Sequence, residues 1–311
     1  FADCVVGPAP AEVPAIRTDL RDVTADQLRD ARIEAVVHLA AICNDPIGNL
    51  NPELTYEVNH RSTLRLARAA KEAGAARFLF SSSCSLYGKG EDDAPLDETA
   101  GFNPVTPYGE SKYLSEQGLL ELAGDDFSPT FLRNATAFGA SPRQRFDIVL
   151  NNLAGLAWTT HRIAMTSDGT PWRPLVHGLD IAKAIRAVLD APREDVHAQV
   201  LNVGADSNNY TVREIAETVG AEFPGCEVSF GEPSADNRSY RVSFAKIREV
   251  LPGFETDWDA AAGAAQLHRV FEQIQLDTET FTGRGHTRLA QIEHLLKTGQ
   301  VDPQLFWTVN P

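Results

Sequence analysis

The sequence ARFLFSSSCSLYG, residues 76–88, joins an apolar run to a cluster of hydroxyl side chains. The apolar and aromatic half predicts a buried strand, and the serines and glycine after it are typical of the turn that ends a strand. A second interpretation is that one of the serines is catalytic, because ligands of open parallel sheets bind at the carboxyl ends of the strands. The flanking sequence is needed to distinguish a polar turn from a catalytic hydroxyl.

Strand-like and helix-like segments alternate on both sides of this stretch. Short apolar runs predict strands at 34–41, 76–83, 128–135 and 198–204, and longer periodic runs predict helices at 52–74, 106–124 and 179–191. Strands that alternate with helices indicate βαβ units. We therefore predict an α/β fold with a doubly wound, Rossmann-like parallel sheet.

The last third of the chain has a different pattern. TVRE, residues 211–214, is a capping box that predicts the start of a helix, and short strands, prolines and helices follow it. We expect a smaller C-terminal α+β domain beside the sheet. The predicted boundaries assign 1–138 and 174–206 to the sheet domain, and 139–173 and 207–311 to the smaller one.

Composition excludes several classes of protein. The 311 residues carry 28 Lys and Arg against 43 Asp and Glu, a net charge of -15, which argues against a nucleic-acid partner. No apolar run is long enough for a membrane span, and no signal-peptide pattern opens the sequence. The four cysteines are far apart and lack zinc spacing, so we expect no metal site, no disulfide and a cytoplasmic location.

YGESK, residues 108–112, contains a Tyr-x-x-x-Lys pair. In a helix the two side chains lie about one turn apart and share a face. A phenol has a pKa near ~10, and a neighbouring ammonium lowers it, so Tyr108 could exchange a proton with a hydroxyl or a ketone. The pair alone also fits an exposed helix surface. The hydroxyl-rich strand end 25 residues earlier favours the catalytic interpretation.

Taken together, these motifs resemble the NAD-dependent epimerase/dehydratase family of extended short-chain dehydrogenases/reductases, and its UDP-glucose 4-epimerase-like branch most. The resemblance runs through TDLRD (18–22), HLAA (38–41), VNHRSTLRL (58–66), SSSCSLYG (81–88), YGESK (108–112), LRNATAFG (132–139), NNL (151–153), RPLVHGLD (173–180) and LNVG (201–204). It implies that Ser83 is the catalytic hydroxyl and Tyr108 the acid/base. Lys112 would be the electrostatic partner of Tyr108 and would also hold the nicotinamide ribose.

The same resemblance implies the ligands and their contacts. The cofactor would be NAD, with NADP left open, bound in the sheet domain, and the substrate a nucleotide-diphosphate sugar, bound in the smaller domain. The implied cofactor contacts are Asp19, Leu20, Ala40, Ala41, Asn59, Ser81, Tyr108 and Lys112. The implied substrate contacts are Ser83, Ser85, Asn152, Arg173 and Arg238.

Most of these contacts have a plain structural alternative. Asp19 and Leu20 equally fit a polar turn, and Arg173 and Arg238 equally fit surface ion pairs, although the guanidinium fork suits a diphosphate. His38 is interpreted as a core histidine rather than a catalyst. The resemblance also implies a homodimer joined by a four-helix bundle of the two helices at 52–74 and 106–124.

The two residues that follow the catalytic hydroxyl limit which of the family's reactions we expect. Sugar 4,6-dehydratases of the family carry Asp-Glu there and related decarboxylases a Glu, whereas this chain has Cys84 and Ser85. A GDP-fucose synthase-like cysteine base would stand at Ser85, so we interpret Cys84 as a packed thiol. The expected activity is epimerisation at sugar C4 through a 4-keto intermediate. The alternatives are an NAD(P)H-dependent NDP-4-keto-sugar reductase and a non-catalytic sugar-nucleotide-binding protein.

The chain departs from the family's pattern at Thr136, near where many relatives carry an Asn, and more seriously in lacking the Gly-rich turn. No Gly-x-x-Gly-x-x-Gly or Gly-x-Gly-x-x-Gly occurs in the 311 residues. That turn lets the backbone approach the cofactor pyrophosphate at a helix N-terminus. We expect roughly thirty residues of such a unit to precede Phe1, or else a truncated form with weakened pyrophosphate binding. Only the second possibility supports the non-catalytic alternative.

Overall fold

A computed structural model describes residues 13–43, 45–88, 94–233 and 239–308. The strands are β1 (Ala35–His38), β2 (Arg77–Ser83), β3 (Ser128–Asn134), β4 (Thr136–Phe138), β5 (Arg162–Ala164), β6 (Trp172–His177), β7 (Val200–Val203), β8 (Asn209–Thr211) and β9 (Glu227–Ser229). The α-helices are α1 (Ala25–Asp30), α2 (Asp45–Gly48), α3 (Pro52–Tyr56), α4 (Ser62–Ala73), α5 (Pro107–Leu120), α6 (Val149–Thr160), α7 (Gly178–Asp190), α8 (Arg193–Val196), α9 (Val212–Glu222), α10 (Ala245–Val250), α11 (Ala260–Ile274), α12 (Thr278–Thr282) and α13 (Arg288–Lys297). Among these described helices, none combines the length and the apolar character that crossing a bilayer requires.

The central sheet is parallel, with strand order β1-β2-β3-β7. Phe78 and Phe80 of β2 pack with α4 and α5 on one face. Leu79 points to the other face, where it packs with residues of α7 and α10. Helices therefore cover both faces of a parallel sheet, which confirms the predicted doubly wound α/β fold.

A second body of the fold contains two smaller sheets. One has the order β4-β6-β8 with an antiparallel pair, and the other pairs β5 with β9. They share an apolar core with α6, α9 and α11 that includes Phe138, Leu150, Leu267 and Phe271. This mixed architecture confirms the smaller α+β part, and its exact boundaries stay a prediction.

The ends of the predicted elements differ from the observed ones by a few residues, for identifiable reasons. β1 ends at His38, so Ala40 and Ala41 lie in the loop after it. Thr106 caps α5, because its side chain accepts a hydrogen bond from the Gly109 amide, and this helix ends at Leu120. Thr211 and Glu214 form the predicted capping box at the start of α9.

The predicted helix at 52–74 is interrupted by a π-helical turn at Glu57–Arg61. It ends as predicted at Gly74, whose φ of 90° is a left-handed conformation that glycine adopts without strain. Single π turns inside longer helices often mark places where a side chain is needed at an unusual angle. Asn59 lies in this turn, and its contacts are described with the site.

His38 is a core histidine, as predicted. It is 3% exposed, its Nε2 lies 2.8 Å from Thr63 Oγ1, and its ring packs against Phe78 and Phe80. Burial, together with the charge of Lys112, lowers the pKa of His38 from 6.5 to about 3. The neutral ring therefore belongs to the folded state across the physiological pH range.

Acidification should destabilise the protein through this histidine. Between pH 6.5 and about 3 the unfolded chain binds a proton at His38 that the folded chain refuses, so stability is lost as the pH falls. The free energy of unfolding should drop relative to His38→Gln by up to about 1.4 kcal/mol per pH unit. Denaturant unfolding at a series of pH values measures this difference. His161→Asn, at an exposed helix end, should follow the wild-type curve; equal curves for His38→Gln and the wild type would contradict the prediction.

Candidate active site

A cavity of about 510 Å³ opens at the carboxyl ends of β2 and β3. The register of these strands sets Ser83 opposite Asn134. Side chains two residues apart on a strand share a face, so Ser81 lies on the same side as Ser83. All three residues line the cavity. The hydroxyl-rich strand end quoted at the outset is thus one wall of a pocket at the edge where parallel sheets bind ligands.

Tyr108 enters this cavity from the first turn of α5. Pro107 opens the helix and Thr106 caps it, which places the Tyr108 side chain at the helix end that faces β2. Gly48 of α2 packs closely behind, since a Cβ there would lie 3.2 Å from Tyr108 Cβ. Burial raises the pKa of Tyr108 well above its usual value, so the lowering predicted from the Lys112 ammonium is not seen in this structure; the neighbouring Ser83 side chain acts against this rise.

Lys112 lies one helical turn after Tyr108, behind the cavity wall. It is 4% exposed, its Nζ donates to the Ser81 carbonyl oxygen at 2.7 Å, and the same atom is 5.9 Å from the centroid of the Tyr108 ring. Burial lowers the pKa of Lys112 to about 8, partly offset by Cys43 and Glu116. The predicted Tyr-x-x-x-Lys pair therefore shares one helix face, with the cation held next to the phenol ring.

Ser83 has both of the properties considered for it. Its Oγ accepts a hydrogen bond from the Ser85 amide at 3.1 Å, so it caps the 3-10 turn Cys84–Tyr87. The same Oγ lies 2.8 Å from Ser85 Oγ, and both side chains line the cavity. The polar turn and the cavity-facing hydroxyl are one arrangement.

Cys84 points away from the cavity into the core. It is buried, its Sγ contacts the Arg133 carbonyl oxygen at 3.1 Å, and burial raises the pKa of its thiol. The interpretation as a packed thiol is confirmed.

The predicted substrate contacts are only partly brought together. Arg173 of β6 lines the cavity, as do Ser83 and Ser85. Asn152 is exposed on α6, donates to the Phe146 carbonyl oxygen at 3.0 Å and does not line the cavity. Arg238 lies outside the described residues.

Two of the predicted cofactor contacts, Asp19 and Leu20, lie in a short turn that precedes β1. Asp19 caps a short 3-10 turn and accepts hydrogen bonds from the side chain of Arg21, which holds the pKa of this carboxyl below its usual range. Leu20 packs against the core that contains Phe78 and Phe80. The Asp19 side chain is thus already engaged in the polar turn that was its structural alternative.

Asn59 hydrogen-bonds to the loop after β1 and does not line the cavity. It is buried, its Oδ1 accepts from the Ile42 amide at 2.7 Å, and its Nδ2 donates to the Ile42 carbonyl oxygen and to Ser111 Oγ. Through Asn59, the π turn fixes the backbone that carries Ala40 and Ala41.

Several cavity residues were not found from the sequence. They are Cys43, Asp45, Asn134, Arg145, Asp147 and Tyr240. Their only local signal is position: CNDP follows the loop after β1, and RQRFD follows the loop after β4. Which of these loop side chains would face the cavity is set by tertiary packing.

Arg145 is the centre of a polar group in this cavity. Its Nε donates to Asp147 Oδ1 at 2.7 Å and its Nη1 to Cys43 Sγ at 3.4 Å, while its Nη2 is buried and has no hydrogen-bond partner within the part of the chain that the structure describes. Asp147 and the desolvated surroundings act in opposite directions on this guanidinium, and its pKa is raised overall. A fixed cation with one unused donor faces the cavity.

The rate of alkylation should distinguish the cavity thiol of Cys43 from the thiols of Cys84 and Cys226. Cys43 lines the cavity, whereas Cys84 is buried with a raised pKa and Cys226, away from the cavity, also has a raised pKa. Iodoacetamide reacts with accessible thiolate, so at neutral pH it should modify Cys43 before Cys226 and leave Cys84 unmodified in the folded protein; Cys4, outside the described residues, is not part of this comparison. Peptide mass spectrometry over time measures this order, with urea-unfolded protein as the control. Equal rates at Cys43 and Cys84 would contradict it.

Comparison with known proteins identifies the family to which the chain belongs. The sequence profile of the NAD dependent epimerase/dehydratase family matches residues 7–204. The UDP-glucose 4-epimerase of Rhizobium meliloti (strain 1021) is 30% identical over 249 residues, which is 73% of this chain and 74% of the relative. The Homo sapiens UDP-glucose 4-epimerase is 27% identical over 263 residues, 77% of this chain and 72% of the relative.

Solved structures agree with this placement. MoeE5 in complex with UDP-glucuronic acid and NAD is 28% identical with a TM-score of 0.71, over 83% of this chain and 85% of that chain. The UDP-glucose 4-epimerase of Thermotoga maritima with UDP-glucose shares the fold with a TM-score of 0.72 at 23% identity, over 83% and 84% of the two chains.

The residues at the sheet edge fit the family's cofactor. The small Ala40 and Ala41 follow β1, the Lys112 ammonium is held at the end of β2, and Asn134 presents a buried side-chain oxygen without a hydrogen-bond partner in the described ranges. These are features that a bound dinucleotide would use at the carboxyl ends of parallel strands. With its doubly wound fold, this chain belongs to the NAD-dependent epimerase/dehydratase family and is an NAD-dependent sugar-nucleotide enzyme.

Proposed function

We propose that the protein is a nucleotide-sugar 4-epimerase that acts on a UDP-sugar. The observation that carries the proposal is the arrangement of Ser83 and Tyr108 on one cavity, with the buried Lys112 ammonium beside the Tyr108 ring. The UDP-glucose 4-epimerase relatives give the reaction class and the nucleotide. Because similar sites support several reactions, the cavity residues have to discriminate among them.

The proposed roles follow from the contacts. Tyr108 would begin the cycle as the phenolate: its Oη takes the proton of the sugar C4 hydroxyl when C4 is oxidised to the ketone, and returns that proton when C4 is reduced from the opposite face. Ser83 Oγ donates a hydrogen bond to the same sugar oxygen. Lys112 is assigned the stabilisation of negative charge on the phenol oxygen, because its ammonium lies 5.9 Å from the centroid of the Tyr108 ring in a poorly solvated site. Bound NAD supplies the reversible oxidation at C4, so no external reductant is consumed.

The carboxylates of the cavity support epimerisation rather than elimination of water. A dehydration needs an acid or base that is available to the sugar ring. Asp147 is engaged with Arg145, and Asp45 accepts a hydrogen bond from Thr106 Oγ1 at 2.7 Å. No carboxylate stands at Cys84 or Ser85.

The substrate is proposed to lie with its diphosphate toward Arg173. This guanidinium lines the cavity on the side of β6, which belongs to the smaller part of the fold. Arg238 is the second proposed diphosphate contact, and Asn152 is kept as a contact only for the outer part of the nucleotide. We propose that the central sheet holds the dinucleotide and the smaller sheets hold the nucleotide sugar; the predicted boundary between residues 173 and 174 falls inside β6.

The test is turnover without an added reductant. The full-length protein is incubated with UDP-glucose and, separately, with UDP-galactose, and the sugar products are followed by NMR. An epimerase brings both incubations to the same mixture. A 4-keto-6-deoxy product would instead show a dehydratase, turnover of a 4-keto sugar only with added NADH or NADPH would show a reductase, and binding without turnover would show a non-catalytic protein.

The proposed assembly is a homodimer. α4 and α5 lie side by side on one face of the sheet, and together they would form the four-helix bundle with the same helices of a second copy. Sedimentation equilibrium measures the mass in solution. A monomer at micromolar concentration would refute this assembly and leave the catalytic proposal in place.

A further inference from the structure

Asn134, the last residue of β3, has an unused acceptor in the cavity. The residue is 9% exposed and lines the cavity, and its Oδ1 is buried without a hydrogen-bond partner among the described residues. Buried carbonyl oxygens of side chains are almost always hydrogen-bonded in native proteins, because leaving one unpaired costs free energy. An orphaned oxygen that faces a ligand cavity therefore points to a donor on the ligand.

The orientation of the Asn134 amide is determined by its other contacts. Its Nδ2 lies 3.4 Å from the Ser82 carbonyl oxygen and 3.0 Å from Ser81 Oγ. A carbonyl oxygen accepts hydrogen bonds only, so the side of the amide that faces Ser82 must be the NH₂ group. The flipped amide would set two carbonyl oxygens against each other. The free atom is thus an acceptor, and its partner must be an N–H or O–H group.

The neighbours of Asn134 indicate which ligand carries that donor. Ser81 is shared: its Oγ accepts from Asn134, and its carbonyl oxygen accepts from Lys112 Nζ at 2.7 Å. Asn134 therefore belongs to the same hydrogen-bonded group as the lysine assigned to the cofactor. The hydroxyls proposed above to face the sugar are those of Ser83 and Ser85, which bond to each other and not to Asn134.

We propose that Asn134 Oδ1 accepts a hydrogen bond from the carboxamide NH₂ of the nicotinamide, so that Asn134 positions the ring at the end of β3. An amide-to-amide hydrogen bond fixes the rotation of the ring about its bond to the ribose and so helps to select the face presented to the sugar. The proposal rests on the cofactor of the family and not on C4 epimerisation. It can be tested by binding alone.

The test compares NAD+ with 3-acetylpyridine adenine dinucleotide, in which a methyl ketone replaces the carboxamide and the donor is missing. Both dissociation constants are measured by titration calorimetry on cofactor-free, full-length protein. The wild type should bind NAD+ about tenfold more tightly than the analogue, as expected for one buried neutral hydrogen bond. Asn134→Ala should weaken NAD+ binding by a similar factor and change analogue binding little, so that the preference falls to about one.

Asn202→Ala is the matched control. Asn202 is also a buried asparagine at the sheet, but its Oδ1 accepts from Tyr87 and its Nδ2 donates to the Ser243 carbonyl oxygen, and it does not line the cavity. This variant should keep the preference for NAD+ whatever it does to stability. If Asn134→Ala does not fold, Asn134→Leu, which has nearly the same shape, takes its place.

A preference for NAD+ that survives in the Asn134 variant would overturn the proposal, even with weaker binding of both dinucleotides. So would a wild type that shows no preference. An unchanged cofactor preference with a raised KM for the sugar would assign the Asn134 oxygen to a sugar hydroxyl and equally refute the carboxamide contact. Absence of epimerase turnover leaves the binding result unaffected, so failure of the proposed function is distinguishable from failure of this inference.

Discussion

Tyr108→Phe should lower kcat by about a thousandfold or more and leave the affinity for the nucleotide sugar within about threefold of the wild type. The substitution removes only the phenolic oxygen, and the ring keeps its packing against Gly48. Without that oxygen the proposed acceptor of the C4 proton is missing, and Lys112 does not replace it because its ammonium is bonded to the Ser81 carbonyl oxygen behind the cavity wall. Loss of kcat with retained binding is the signature of a group that acts in the transition state.

The measurement pairs turnover, followed by NMR, with calorimetric binding of the sugar nucleotide. Tyr113→Phe is the matched control, because Tyr113 lies on the same helix, packs against Phe102 with a ring separation of 4.5 Å and does not line the cavity. It should retain nearly full activity. A Tyr108→Phe variant with a tenth or more of the wild-type kcat would exclude Tyr108 as the acid/base.

The residues whose relative positions were predictable from the sequence are those whose geometry is local. Tyr108 and Lys112 are four residues apart on one helix, and a helix fixes their relation without help from the rest of the fold. Ser83 is set by the end of a strand whose apolar pattern is visible in the sequence. For the same reason the parallel, doubly wound sheet followed from the alternation of strands and helices, whereas the strand order β1-β2-β3-β7 is known only from the structure.

The residues that the sequence missed depend on loops that meet only in three dimensions. Cys43 and Arg145 are far apart in the chain, yet Arg145 Nη1 contacts Cys43 Sγ at 3.4 Å. Likewise, nothing in NNL distinguishes its two asparagines, but Asn151 clamps the backbone of Gly139 while Asn152 is exposed. Such assignments need the packing of β4 against α6, which no local pattern contains.

A buried ion pair next to the site should dominate the response of stability to mutation. Glu116, one turn after Lys112, accepts hydrogen bonds from Arg133 at 2.7 Å and from Ser82, and both charged side chains are 3% exposed. Glu116→Ala leaves the Arg133 guanidinium buried without its counter-ion, which should cost about 3–5 kcal/mol of unfolding free energy. Denaturant unfolding at neutral pH measures it. Asp257→Ala, which breaks the exposed pair with Lys183, is the control and should cost at most about 1 kcal/mol.

The double variant Glu116→Leu/Arg133→Met distinguishes the two possible origins of that cost. If the loss in Glu116→Ala comes from an unpaired buried charge, removing both charges at similar volume should recover most of the wild-type stability. If the pair itself holds α5 against β2 and β3, the double variant should be as unstable as the single one. We expect recovery, because the double variant contains no buried guanidinium that needs Glu116 and Tyr87 as hydrogen-bond acceptors.

Catalysis should still change in the double variant, since Glu116 helps to keep the pKa of Lys112 from falling further. Without Glu116, Lys112 should lose its proton at a lower pH than in the wild type. The fall of kcat on the alkaline side of its pH profile should therefore start at a lower pH, which a pH series of turnover measures.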